Sequence, residues 1–132
     1  MGCAQQDLSQ SYNLARLVVS AAGLPCSVSG LSLNRFCSSG LQAVAAAAAQ
    51  IESGMNNVLV AGGVESMTAV PMTYDRTPYL CKSILENDPD QYMAMGLTAE
   101  NIAERYGVTR EEMEAMAAES HRRAAAAQDS GT

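Results

Sequence analysis

No stretch of the sequence approaches the roughly 20 consecutive apolar residues that a bilayer span requires. The opening Met1-Gly2-Cys3-Ala4-Gln5-Gln6-Asp7 has neither the basic start nor the apolar core of a secretory leader. These absences predict a soluble, cytoplasmic chain that does not engage a membrane. Basic side chains are scarce: 8 Lys and Arg stand against 14 Asp and Glu, for a net charge of -6. No cationic stripe is left to follow a phosphate backbone, which argues against nucleic acid as a partner. The 4 cysteines, Cys3, Cys26, Cys37 and Cys81, show no Cys-x-x-Cys spacing and are too sparse for a disulfide scaffold. Free thiols in a reducing compartment are expected, and no metal site is predicted. Gly62-Gly63 lacks the lysine and the spacing of a phosphate loop, and the chain has no internal repeat.

What is present suits one modest domain: 132 residues, 48% of them hydrophobic. The charge is uneven. Residues 1–67 carry Arg16 and Arg35 against Asp7, Glu52 and Glu65, while residues 68–132 hold most of the acidic side chains. This predicts an apolar core piece followed by a solvated, more helical one. From Ser9 onward Leu14, Leu17, Val18 and Ala21 recur at helical spacing until Gly23 and Pro25 stop them. Residues 31–36 alternate at first and predict a strand. A helix follows through the alanines at 45–49 and stops at Gly54; its apolar surface runs almost all round, so it is expected between two layers. Val58-Leu59-Val60-Ala61 reads as a strand buried on both faces. Strand, helix and strand make a right-handed parallel unit with its turn at the carboxyl edge of the sheet.

Beyond Thr68 the texture changes, and Pro71, Pro78 and Pro89 predict mostly loop. Thr98 is expected to cap a short helix that ends at Gly107. Thr109 and Glu112 form a capping box for a second helix that runs to about Gln128. Its Glu111, Glu112, Glu114 and Glu119 make a solvated face, while Met67 and Met72 read as loop packing.

The chemistry-bearing candidate is Cys37. It falls between a predicted strand and the first turn of a predicted helix, where free N–H groups and the helix dipole favour a thiolate. Ser38-Ser39-Gly40 gives a small-residue turn that a substrate can approach. Taken alone, a single cysteine is more often packing than catalysis. Glu65 could be a catalytic carboxylate, but no partner acid stands at a sensible spacing, so a structural hydrogen-bonding role is favoured.

The wording around Cys37 adds to this. Asn34-Arg35-Phe36-Cys37-Ser38-Ser39-Gly40-Leu41-Gln42-Ala43 resembles the nucleophile segment of thiolases, and Val60-Ala61-Gly62-Gly63-Val64-Glu65-Ser66-Met67 resembles their second signature. Met95-Gly96-Leu97-Thr98-Ala99-Glu100-Asn101 and Ser120-His121-Arg122-Arg123-Ala124 continue the likeness, as do Gly2-Cys3 and Asn13-Leu14-Ala15-Arg16. The resemblance covers nearly the whole chain and is closer to the degradative 3-ketoacyl-CoA branch. It implies an α/β fold, part of a layered αβαβα thiolase core over residues 1–67, with the inserted loop domain beginning over 68–132. It also implies that Cys37 accepts an acyl group and passes it to coenzyme A, its backbone N–H contributing to an oxyanion hole. Coenzyme A is then a substrate, with no resident cofactor, and the parent is a homodimer or homotetramer acting in fatty acid β-oxidation. Met95 aligns with a methionine lining the acyl-pantetheine pocket, with core filler as its other reading. Ala94 stands where biosynthetic members carry histidine.

Departures from the family pattern matter as well. The Gly-His-Pro, Cys-Gly and Asn-Glu-Ala-Phe-like motifs that carry the remaining catalytic groups are absent from these residues, and the only histidine, His121, lies in the wrong motif. The chain therefore reads as a fragment from the first half of a thiolase, inactive by itself, with strand edges and the alanine helix left uncovered. The alternatives are a non-catalytic acyl-CoA or lipid-binding protein of the same fold, and an alanine-rich helical module with an incidental cysteine. The nearest enzymatic alternative is a ketoacyl synthase or similar condensing enzyme.

Overall fold

Gly2 is the residue on which the first part of the chain converges. A computed structural model describes residues 1–72, 75 and 77–131. The chain divides into two compact units, Met1–Asp75 and Arg76–Thr132. In the first unit the backbone at Gly2 bridges in parallel to Leu33 on one side and to Gly63 on the other. Gly2 N donates to the Gly62 carbonyl at 2.8 Å and Val64 N to the Gly2 carbonyl at 3.0 Å; Leu33 N reaches the Met1 carbonyl and Cys3 N the Leu33 carbonyl, each at 3.1 Å. A side chain at Gly2 would lie 2.5 Å from the carbonyl carbon and oxygen of Ser39, so the close approach of this seam to the following helix requires glycine.

Five α-helices complete the described residues. In the first unit are α1, Leu14–Ala21, and α2, Ser39–Glu52. Asn13 caps α1, accepting from Arg16 N, and also donates to the Gly30 carbonyl at 2.7 Å, which ties the helix to the segment entering the Cys37 turn. Gly23 and Gly54 follow α1 and α2 with positive φ, as the expected stops require. The second unit contains α3, Lys82–Asn87, α4, Met95–Tyr106, and α5, Arg110–Ser130. The α5 capping box has both its arms, Glu112 N to Thr109 Oγ1 at 3.2 Å and Thr109 N to Glu112 Oε2 at 2.9 Å. Gly107 and Gly131 end α4 and α5 in the left-handed conformation.

Several expectations need correction. No continuous strand forms among the described residues, so the layered αβαβα sheet is reduced to the two isolated bridges at Gly2 within a mostly helical structure. The segments at 31–36 and 58–61 do not pair with each other. The extended Gly2 segment lies between the stretches that pair, and on the second side the pairing falls at 62–64, past the apolar run. Val58 and Val60 are 83% and 94% exposed, because no neighbouring strand among the described residues takes up their backbone or covers their faces. Helix α2 is likewise not enclosed between layers: only Ser39 and Ala43 are buried, and Leu41 and Val44 face outward. Helix α4 begins at Met95 rather than at Thr98, whose hydroxyl bonds back to the Ala94 carbonyl from inside the first turn. The stretch expected to be mostly loop includes the short α3; Thr73, Tyr74 and Arg76 within it lie outside the described residues.

Among the described residues the buried ones are few and all belong to the first unit: Gly2, Cys3, Gln10, Ala15, Ser39, Ala43 and Val70. Helices α4 and α5 rely on local terms instead, namely caps and exposed ion pairs such as Arg110 with Glu114 at 2.7 Å. Such pairs contribute only a few tenths of a kcal/mol each, about 0.3–0.5.

Candidate active site

Cys37 occupies the middle of a 3-10 turn, Phe36–Ser38, that runs directly into α2, and it is exposed. The residue before it, Phe36, has φ +46°. A bulky L-residue avoids this region because its Cβ crowds the next carbonyl, at a cost of about 1–2 kcal/mol. Two side chains hold the turn there. Asn34 Oδ1 accepts from Phe36 N at 2.7 Å, and Ser39 Oγ donates to the Phe36 carbonyl at 2.6 Å while accepting from Arg35 N at 2.8 Å. Ser39 is buried, so its hydroxyl is committed to these bonds rather than shared with water. Among the described residues none accepts from the Cys37 N–H.

The turn is anchored to the Gly2 seam. Asn34 Nδ2 donates to the Ala4 carbonyl at 3.0 Å, and Ala4 N donates to Glu65 Oε2 at 2.7 Å. Glu65 also accepts from Gln5 N at 3.3 Å and from Gln10 Nε2 at 2.7 Å. Desolvation by itself would raise the Glu65 carboxyl, but the bonds from Gln10, Ala4, Gln5 and Cys3 outweigh it and hold the group below the usual carboxylate range. A carboxylate so fully engaged is a structural acceptor, the role the sequence favoured for it. Gln10 is the residue that sequence reasoning missed. It is buried, it bridges the Gln5 carbonyl to Glu65, and its own oxygen accepts from Ser66 N. No local pattern marks it, since its partners on Glu65 and Ser66 lie 55 and 56 positions away.

The other thiols differ from Cys37 in setting. Cys3 is buried, with Sγ 3.9 Å from Glu65 Oε1; desolvation, then the Glu65 charge, push its thiol up. Cys81 is exposed, and hydrogen bonds from Ile84 and Ser83 hold its thiol below the ordinary cysteine range. Cys26 is exposed as well. Met95 belongs to the other unit as the first residue of α4, with 76% of its surface exposed. His121 is exposed on α5. The first unit also has an apolar groove of about 670 Å³ lined by residues such as Val18, Leu24, Leu31, Ala47 and Val58; Cys37 is not on its wall.

Comparison with known proteins adds an independent line. The family described as thiolase, N-terminal domain, matches residues 1–132. A 3-ketoacyl-CoA thiolase of Bacillus subtilis (strain 168) is 46% identical over 128 residues, which is 96% of this chain and 32% of that protein. The protein of the same name from Idiomarina loihiensis is 41% identical over 125 residues, covering 93% of this chain and 31% of the relative. That from Aeromonas hydrophila is 40% identical over 128 residues, with 96% and 32% covered. The chain thus spans just under one third of the length of the curated relatives it matches.

Proposed function

The chain belongs to the thiolase family, through its N-terminal domain, and from that membership we propose that it carries the acyl-accepting nucleophile of a 3-ketoacyl-CoA thiolase, Cys37. The observation that carries the reading is the Cys37 turn: an exposed thiol at the start of α2, beside a backbone N–H with no acceptor among the described residues, inside the segment that resembles the family's nucleophile motif.

In the degradative direction the Cys37 sulfur gives an electron pair to the keto carbon of a 3-ketoacyl-CoA. The bond between that carbon and the α-carbon then breaks, and acetyl-CoA departs as its enolate and takes up a proton. The shortened acyl group, held as a thioester on Cys37, passes to the sulfur of a second coenzyme A, which restores the thiol. Splitting the reaction at a covalent intermediate replaces one difficult step with two easier ones. Charge that develops on the acyl oxygen in each step is met by the Cys37 N–H, a donor whose alignment costs nothing at the moment of reaction. In the same reading coenzyme A is a substrate rather than a resident cofactor. The reaction belongs to fatty acid β-oxidation, and the whole protein is a cytoplasmic homodimer or homotetramer. Among the described residues no helix is long and apolar enough to cross a membrane.

We further assign residues 1–67 to the thiolase core domain and residues 68–132 to the beginning of the loop domain. The division of the chain near Asp75 supports this assignment. Met95, exposed at the head of α4, is proposed to line the acyl-pantetheine pocket.

The test is to incubate the whole protein carrying this chain with acetyl-CoA, quench in acid and map the acylated peptide by mass spectrometry. An acid-stable acetyl group on the Cys37 peptide, lost in Cys37→Ser, is the expected result. Acetylation confined to Cys26 or Cys81, or none at all, overturns the assignment.

A further inference from the structure

The bonds around Phe36 converge on one peptide group. The carbonyl oxygen that Ser39 holds belongs to the same planar unit as the Cys37 N–H, and in a trans peptide the two point in opposite directions. Whatever fixes the Phe36 carbonyl therefore fixes the direction of the Cys37 N–H. That carbonyl receives two bonds, from Ser39 Oγ at 2.6 Å and from the Ser39 backbone N–H. On the other side of the residue, Asn34 Oδ1 holds Phe36 N at 2.7 Å, and Asn34 Nδ2 fastens the clamp to the Ala4 carbonyl. The left-handed φ of Phe36 is thus gripped at both of its peptide groups, and the Cys37 N–H is turned outward without an acceptor among the described residues.

We infer that Ser39 and Asn34 are positioning residues: acting through Phe36, they aim the Cys37 N–H at the oxygen of an acyl thioester bound at Cys37. This inference rests on the reading of Cys37 as the nucleophile. In this role both side chains act through their bonds to Phe36 and not through the substrate. Ser39 works by fixing a peptide plane, and Asn34 by keeping Phe36 in a conformation that the chain would otherwise leave.

Two reactions at the same sulfur separate this role from simple support of the fold. Acylation by acetyl-CoA forms a C–S bond from Cys37 to the thioester carbonyl carbon while the carbonyl π pair moves onto oxygen. Collapse then expels the coenzyme A thiolate, which receives the thiol proton. Alkylation by iodoacetamide displaces iodide in one step and places no charge on a carbonyl oxygen, so it has no need of the N–H.

Both rates are measured at Cys37 in the whole protein, by peptide mapping. In Ser39→Ala the acylation rate is expected to fall about 10- to 100-fold, less than the roughly 100- to 1,000-fold that outright removal of an oxyanion donor costs, because the N–H is turned aside and not lost. Alkylation should stay within about threefold, because the attacking sulfur is unchanged. Ser39 is buried, so a second pair of variants guards against misfolding: exposed Asn34→Ala should give the same split, and Asn34→Asp, which keeps the acceptor for Phe36 N but gives up the donor to the Ala4 carbonyl, should recover part of the acylation that Asn34→Ala loses. Parallel loss of both rates, or no change in either, overturns the positioning role. A wild-type protein that alkylates at Cys37 but never acylates there overturns the nucleophile reading itself, and this inference with it.

Discussion

Gln10 and Glu65, 55 positions apart, are joined by a 2.7 Å bond from the Gln10 amide to the Glu65 carboxylate. With the bonds from Ala4 and Gln5, it fastens the segment after the Gly2 seam to the Gly63–Ser66 stretch. Because the Glu65 carboxyl titrates lower in the folded chain than in the unfolded one, its contribution is full above the unfolded value, about 4.3, and is lost as the pH falls through the lower folded value. Water reaches the carboxylate, so Glu65→Gln should cost only about 1 kcal/mol at neutral pH. Urea unfolding of wild type and variant should show that difference shrinking below about pH 4. A difference unchanged by acid would show that the charge contributes nothing.

Gln10→Leu should do more damage than Glu65→Gln. It removes the acceptor for the Ser66 N–H, a donor to the Gln5 carbonyl and a donor to the Glu65 carboxylate, and sets an apolar side chain in the buried Gln10 position. Losing these three bonds together costs about 2–3 kcal/mol, at about 1 kcal/mol each. The unfolding midpoint in urea reads this directly, and a loss smaller than that of Glu65→Gln would contradict the account.

The end of α5 that carries the capping box is open to a simple test. Thr109→Ala removes the acceptor for Glu112 N and should cost about 1 kcal/mol of helix stability. Far-UV circular dichroism should show helix loss at a lower temperature, whereas Thr109→Ser should stay close to wild type.

These contrasts indicate which features the sequence makes legible. The stops of the helices and the Thr109 box could be read because capping is local: a glycine or threonine within a few positions satisfies the end groups. The position of Cys37, between an extended segment and a helix, was legible for the same reason. What intervenes between two extended segments is not a local property, so the placement of Gly2 between Leu33 and Gly63 escaped the strand-helix-strand reading. Val58 and Val60 have strand composition, but composition does not supply the neighbour that would turn it into a ladder. The clamp at Phe36 was hidden as well, because a positive φ at a bulky residue follows from the side chains that hold it and not from its own preference.

The thiols should separate in their reaction with iodoacetamide. Burial and the neighbouring Glu65 charge keep Cys3 protonated, so it should react at least about tenfold more slowly than exposed Cys26. Cys81, with its thiol held lower by Ile84 and Ser83, should outpace Cys26 at neutral pH. Cys81→Ser is therefore a useful background for measurements at Cys37. Peptide mapping at timed quenches gives the order, and labelling of Cys3 as fast as Cys26 would show that the Gly2 seam opens readily.

Gly2 and Gly40 meet at the junction of the seam with α2, and alanine should act on them in opposite directions. A Cβ on Gly2 would lie 2.5 Å from the Ser39 carbonyl carbon and oxygen and 2.8 Å from Gly40 N. These are backbone atoms of the helix start and cannot swing aside, so Gly2→Ala must push the extended segment away from both bridges. The cost should be about 1–3 kcal/mol, the usual range for overpacking. A Cβ on Gly40 meets nothing within 4 Å, and its position within α2 favours alanine by up to about 1 kcal/mol. Gly2→Ala should also loosen the anchor of Asn34 on Ala4 and lower acylation at Cys37, while Gly40→Ala should raise the unfolding midpoint. Equal effects from the two substitutions would mean that the seam does not bear on the turn, because the contact with Ser39 is what distinguishes one glycine from the other.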